Sequence, residues 1–163
     1  MQLIFRQQYL SLKLLNVKTM SLIQKALSQY GVREVDGKAD NPQIIRYFEV
    51  LGFDSSKLHD ETAWCSAFAN WVSKTENYTY SGKLNARSWL NVGESTALPI
   101  QGDIVVLWRE SPSSWKGHVG FFVKQTKRYV YILGGNQNNR VSIKAYPKNR
   151  VLDYRKLSKD GKD

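Results

Sequence analysis

The hydrophobic pattern of the chain changes period once, near Pro99, and that change limits the architectures open to it. Before Pro99 apolar residues recur at helical spacing; after it they come in short runs and alternations of strand length. Helices gathered ahead of strands, rather than alternating with them, predict an α+β fold with helices packed on an antiparallel sheet. The 163 residues, 42% of them hydrophobic, suffice for one domain with its own core and leave no room for a second.

Local signals place the elements. Ser21 with Gln24 reads as a capping box, with Leu22, Ile23, Ala26, Leu27 and Tyr30 on one helical face and Gly31 as the stop. Asn41-Pro42 opens a second helix whose Ile44, Ile45, Phe48 and Leu51 point inward, and Gly52 ends it. A third is predicted to start near Asp60 to Thr62, with Trp64, Phe68, Trp71 and Val72 as its buried stripe and Cys65 at the margin. A helical turn over 86–90 precedes the sheet. Strands are expected at 104–108, 118–124, 129–133, 141–146 and 150–154, about five in all. On the second, Val119, Phe121 and Val123 share one face, and His118, Gly120 and Phe122 the other.

The expected organisation is a single domain over 21–157, a polar tail over 158–163 and an N-terminal extension over 1–20. Arg6 and Lys13 break the apolar residues of the extension, so it is too interrupted for a signal peptide and too short for a membrane span. An added arm, an amphipathic segment and upstream sequence of little consequence all remain open for it.

The net charge of +10 is unevenly spread: Lys124 to Asp163 holds eleven Lys/Arg against three Asp, while 21–123 is close to neutral. A basic surface of this kind concentrates polyanions, whether nucleic acid, anionic lipid or an anionic wall polymer. No RNA-binding signature or zinc-finger spacing accompanies it, which argues against nucleic acid. One Cys and two His, His59 and His118, lack the paired spacing of a structural zinc site, and no cofactor is implied.

Chemistry concentrates on three positions. Cys65 is the only cysteine and falls at a helix start, where unpaired N–H groups and the helix dipole favour thiolate and would lower its pKa. His118 opens a strand. If that strand and 129–133 form a hairpin turning at Thr126-Lys127, His118 falls beside Gly135-Asn136, whose amide could orient the ring. A one-residue shift in register would change which side chain faces the imidazole. Each residue has a plainer reading: Cys65 as a small buried hydrophobe, His118 as a structural histidine, Asn136 as a turn residue. His59 is an alternative base, and Asp103 an alternative orienter that its turn position already explains.

Taken together, Glu61-Thr62-Ala63-Trp64-Cys65-Ser66-Ala67-Phe68, Gly102-Asp103-Ile104-Val105, Gly117-His118-Val119-Gly120-Phe121 and Leu133-Gly134-Gly135-Asn136-Gln137 resemble, in that order, the NlpC-type and CHAP-type cysteine peptidases and amidases that cut peptidoglycan. The similarity runs from about Ala26 to Arg155. It departs at Ala63, where close relatives often carry Pro, and in the extension before Ser21.

The resemblance implies a papain-like α+β domain and a Cys–His–polar triad: Cys65 as nucleophile, His118 as base, and Asn136 in the third position, with Gln137 and Asn138 in the same loop. Trp64, Trp115 and Gln137 are the expected substrate contacts, Trp115 foremost because it lies in the polar loop before His118. The implied activity is hydrolysis of an amide bond in the cell-wall peptide, as endopeptidase or amidase, by a monomer. Anionic wall polymers would meet the basic C-terminal surface. Delivery to the wall would follow cytoplasmic synthesis through a phage lysis or secretion route. A noncatalytic wall-binding module on the same fold, and a basic nucleic-acid-binding protein with incidental Cys and His, are the competing readings.

Overall fold

Ser21 does what its spacing to Gln24 predicts. Its Oγ accepts from the Gln24 N–H at 3.3 Å, and Gln24 Oε1 accepts from the Ser21 N–H at 3.1 Å, closing the cap of α1 (Leu22–Leu27). The computed structural model describes residues 21–37, 40–54, 57 and 63–160. The extension over 1–20, His59, the predicted helix start at Asp60 to Thr62 and the last residues of the tail lie outside them. Leu22 and Ala26 enter the core, but Leu27 and Tyr30 are 44% and 59% exposed. The predicted five-residue face is cut short because the chain leaves the helix at Ser28.

Asn41 caps α2 (Pro42–Glu49) by accepting from the Gln43 N–H at 2.8 Å, with Pro42 in the first turn. Ile44, Tyr47 and Phe48 are fully buried. The Tyr47 ring lies 5.3 Å from that of Phe68 and 5.1 Å from that of Trp71. These two belong to α3 (Cys65–Thr75), the central helix, whose residues are buried from Cys65 to Ser73 on every side rather than along one stripe. Polar residues on a helix so enclosed can be satisfied only internally; Ser66 and Asn70 are, as described below, while the buried Ser73 Oγ has no hydrogen-bond partner among the described residues.

The strands are β1 (Glu94–Ser95), β2 (Ile104–Trp108), β3 (Gly117–Gln125), β4 (Tyr129–Gly134), β5 (Ser142–Pro147) and β6 (Val151–Lys156), with short 3-10 helices at Ala86–Asn91 and Lys148–Arg150. They form one antiparallel sheet in the order β1-β6-β2-β3-β4-β5. The strand beyond the expected set is β1, two residues paired to the end of β6. Alternation sorts the faces as predicted. Ile104, Val106, Val119, Phe121 and Leu133 join the helices in the main core, and Val105, Leu107, Phe122, Val130, Ile132 and Tyr146 form a second cluster on the opposite face.

The stretch read as the start of a polar tail is tied to the domain. The Thr79 N–H donates to Ser158 O at 2.9 Å, the Asp160 N–H donates to Asn77 O at 2.7 Å, and Lys159 lies over the Tyr78 ring. Among the described residues no helix is long and apolar enough to cross a membrane.

Candidate active site

Cys65 is the first residue of α3, and Trp64 before it is already non-helical, so the thiol stands at the helix terminus itself. Trp64 is fully buried and donates from Nε1 to Glu34 Oε1 at 2.8 Å. Its ring lies so close under Gly135 that a Cβ there would approach Cζ3 to 2.6 Å. Trp64 therefore wedges the helix start against the 134–137 loop; with no exposed surface it cannot be the substrate contact expected from the sequence.

The residue after the thiol fixes the opposite wall. Ser66 Oγ donates to Lys83 O at 2.7 Å and accepts from Trp89 Nε1 at 3.0 Å. One turn on, Asn70 donates to Lys83 O at 3.0 Å and accepts from the Gly82 N–H at 2.8 Å. The two side chains clamp 81–83 to the helix, and this segment leads into Leu84, Asn85 and Ala86 beside Cys65.

His118 is the second residue of β3, opposite Leu107, with its ring 5.4 Å from that of Tyr146. Its Nε2 lies 3.0 Å from Oε1 of Gln137. Gln137 is 2% exposed, and its amide nitrogen donates to Ser142 O at 2.6 Å and Ile132 O at 3.3 Å. Those two carbonyls fix the amide's direction and make Oε1 the acceptor; the Tyr146 hydroxyl donates to the same atom at 3.1 Å. The neutral imidazole accordingly carries its hydrogen on Nε2 and keeps the lone pair on Nδ1.

The ring's partner is thus Gln137, one residue beyond Asn136. Asn136 has φ 56°, and this left-handed step turns the chain so that the next side chain reaches the imidazole. Gly134 makes room for the pair, since a Cβ there would lie 3.0 Å from Gln137 Oε1 and 3.3 Å from His118 Nε2. Gln137, expected to touch substrate, is instead consumed by internal hydrogen bonds. Asn136 stays at the surface of the cleft beside Cys65 and His118.

That cleft encloses about 290 Å³ between Cys65, His118, Asn136, Asn85, Arg109 and Trp115. Trp115 is 74% exposed on its rim. A second recess of about 440 Å³ adjoins it, sharing Arg109, His118 and Asn136 and extending to Lys144, Tyr146 and Arg150. A larger hollow of about 530 Å³ near Arg33, Glu34 and Arg140 contains neither Cys65 nor His118. Asp103 is accounted for structurally: it accepts from the Ile100 N–H at 2.8 Å and pairs with Lys156 at 3.3 Å.

Burial sets the protonation of the site. It pushes the Cys65 thiol above its usual range, against the smaller opposing pull of N–H groups of Val119 and Ser66 and the charge of Arg109. The lowering expected from the helix start is thus outweighed. Burial also holds the His118 imidazole down to about 4; Gln137 opposes this, and the charges of Arg109, Lys144 and Arg150 add to it. Both shifts favour an uncharged thiol beside an uncharged imidazole. Arg109, Lys144, Tyr146 and Arg150 were not singled out from the sequence, because only the pairing of β2 with β3, the pairing of β5 with β4 and the path into β6 bring them to His118.

A thiol heading a buried helix, set against an antiparallel sheet that carries a histidine, defines the α+β arrangement of the papain-like class. Residues 57–136 match the model of the CHAP domain, so this segment is similar to the CHAP domain family. CHAP domains are peptidoglycan hydrolase domains of the cysteine peptidase and amidase type. A search among curated proteins finds no match to the chain.

Proposed function

We propose that this chain hydrolyses an amide bond in the peptide of bacterial peptidoglycan, with Cys65 as nucleophile, His118 as general base and acid, and Gln137 as the residue that orients the imidazole. The observation that carries the reading is the His118–Gln137 hydrogen bond, which commits Nε2 and leaves Nδ1 as the ring's free nitrogen, on a residue that lines the same cleft as Cys65.

With both groups uncharged at rest, proton transfer accompanies attack. Cys65 Sγ bonds to the amide carbon as its proton passes to His118 Nδ1, and the carbonyl electrons move onto oxygen. The Cys65 N–H, at the helix terminus, is the natural donor to that oxyanion. As the carbonyl re-forms, the carbon–nitrogen bond breaks and the imidazolium returns its proton to the leaving amine. Water, deprotonated by the same nitrogen, then attacks the thioester, releasing the acid and restoring the thiol.

Purified muropeptides incubated with the protein test this reading. Mass spectrometry is expected to show paired fragments whose masses sum to the substrate plus one water, and a Cys65→Ala variant is expected to give none. Intact muropeptides after prolonged incubation with the unaltered protein would leave the noncatalytic wall-binding reading in its place.

A further inference from the structure

The recess beyond His118 contains a set of cations that the hydrolytic chemistry does not use. Arg109 follows the end of β2, Lys144 projects from β5 and Arg150 closes the 3-10 turn before β6, and all three line the same recess. Tyr146 is the common platform of two of them: Lys144 Nζ lies 5.5 Å and the Arg150 guanidinium 5.6 Å from its ring centroid, on the residue whose ring is 5.4 Å from that of His118. Arg150 is held in place by donating twice to Trp108 O, at 3.2 and 3.1 Å.

Like charges gathered around a buried histidine repel one another and weaken its basicity, a cost that surface solvation alone would not call for. Among the described residues, no carboxylate stands within ion-pair distance of Arg109, Lys144 or Arg150, and none lines the recess. Lys116, by contrast, is already paired with Glu110 on the other side of the cleft. The recess and the cleft meet at Arg109, His118 and Asn136, so a group filling the first is attached within a few bonds of a carbonyl at Cys65.

We propose that this recess is a carboxylate subsite in which Arg109, Lys144 and Arg150 receive a free carboxylate of the stem peptide next to the bond that is cut. The proposal rests on the reading of Cys65 and His118 as an amide hydrolase acting on that peptide. Arginine at two of the three positions suits a planar two-oxygen anion, and the lysine adds a mobile charge at the mouth. An anion seated there also neutralises the cations that suppress His118. Substrates whose carboxylates are amidated forgo both contributions.

Equilibrium binding to a Cys65→Ala variant tests the subsite without turnover, using one synthetic stem peptide with its carboxylates free or amidated. The free form is expected to bind about tenfold more tightly, with the ratio falling below about twofold in a background that adds Arg109→Gln and Lys144→Gln. Equal affinity for the two forms, or a ratio unmoved by the two substitutions, overturns the proposal. So does displacement of the carboxylated peptide by a glycerol phosphate oligomer of equal affinity, which would assign the recess to wall phosphates. Digestion of the same peptide by the unaltered protein, followed by mass spectrometry, separates this from the broader reading: absence of cleavage counts against the hydrolase, while the binding ratio still decides the subsite.

Discussion

Gln137 Oε1 lies 3.0 Å from His118 Nε2, and the same amide is held from behind by Ser142, Ile132 and Tyr146. The imidazole is thus fixed by a residue that is itself locked, so its tautomer is decided before substrate arrives. Gln137→Ala is expected to lower kcat/KM by about 10- to 100-fold and stability by about 1–3 kcal/mol, the range for removing one partner of a buried hydrogen bond. Asn136→Gly keeps the left-handed backbone while deleting the neighbouring side chain. It should leave the pH profile unchanged, and pH–rate measurements on both variants distinguish the two assignments.

Gln137→Glu probes the same contact in the other direction. A carboxylate against Nε2 favours the imidazolium, so the acid limb of kcat/KM is expected to move to higher pH than in the unaltered protein. A limb that stays in place would mean that position 137 does not govern the ring.

Because burial and the nearby cations hold His118 down to about 4, against an ordinary 6.5, activity on uncharged peptides should persist well below pH 6 and fall near pH 4. Stability carries the same signature. Between those values the unfolded chain binds a proton that the folded chain refuses, so stability rises with pH across the window. The contribution is complete above 6.5 and lost as pH falls toward 4, roughly 3 kcal/mol for the full shift. Chemical denaturation at a series of pH values should show a slope that His118→Gln flattens.

Asn70 and Ser66 make a prediction about the cleft wall. Asn70→Ala leaves the Gly82 N–H unpaired and takes one donor from Lys83 O, which keeps that of Ser66; it is expected to cost about 1–3 kcal/mol and to raise KM more than it lowers kcat, because the 84–86 wall loses half its clamp. Trp115→Ala, at an exposed rim position, should raise KM with the melting temperature unchanged. Steady-state kinetics with parallel thermal melts check both.

At Gly135 an added Cβ would lie 2.6 Å from Trp64 and 2.8 Å from Phe68, so Gly135→Ala is expected to destabilise by about 1–3 kcal/mol and to disturb the loop that carries Gln137. A melting temperature equal to that of the unaltered protein would show that the loop and helix start are not pressed together.

Much of this arrangement is legible from sequence, for reasons that are themselves local. Capping by Ser21 and Asn41, the change of period at Pro99 and the alternation around His118 depend on neighbours a few residues away. The hairpin turning at Thr126 brought His118 to the right loop, with Phe121 opposite Leu133 as such a hairpin requires. Choosing between Asn136 and Gln137 needed more. It turned on the left-handed step at Asn136 and on the two carbonyls that only the β4–β5 pairing delivers to Gln137. Trp64 misled because tryptophan beside a nucleophile fits a groove wall as well as it fits a core, and the partner that decides, Glu34, is thirty residues away. The protonation of the thiol was likewise beyond local reading, since enclosure of α3 on all sides outweighs the helix terminus.

Intact-protein mass spectrometry of the reaction, quenched in acid during turnover, tests the central claim most directly. The account predicts an acyl adduct on Cys65, of the mass of the released peptide fragment less water, that is absent from Cys65→Ala. Fragment release by Cys65→Ala at the unaltered rate, with no adduct on the chain, would contradict it.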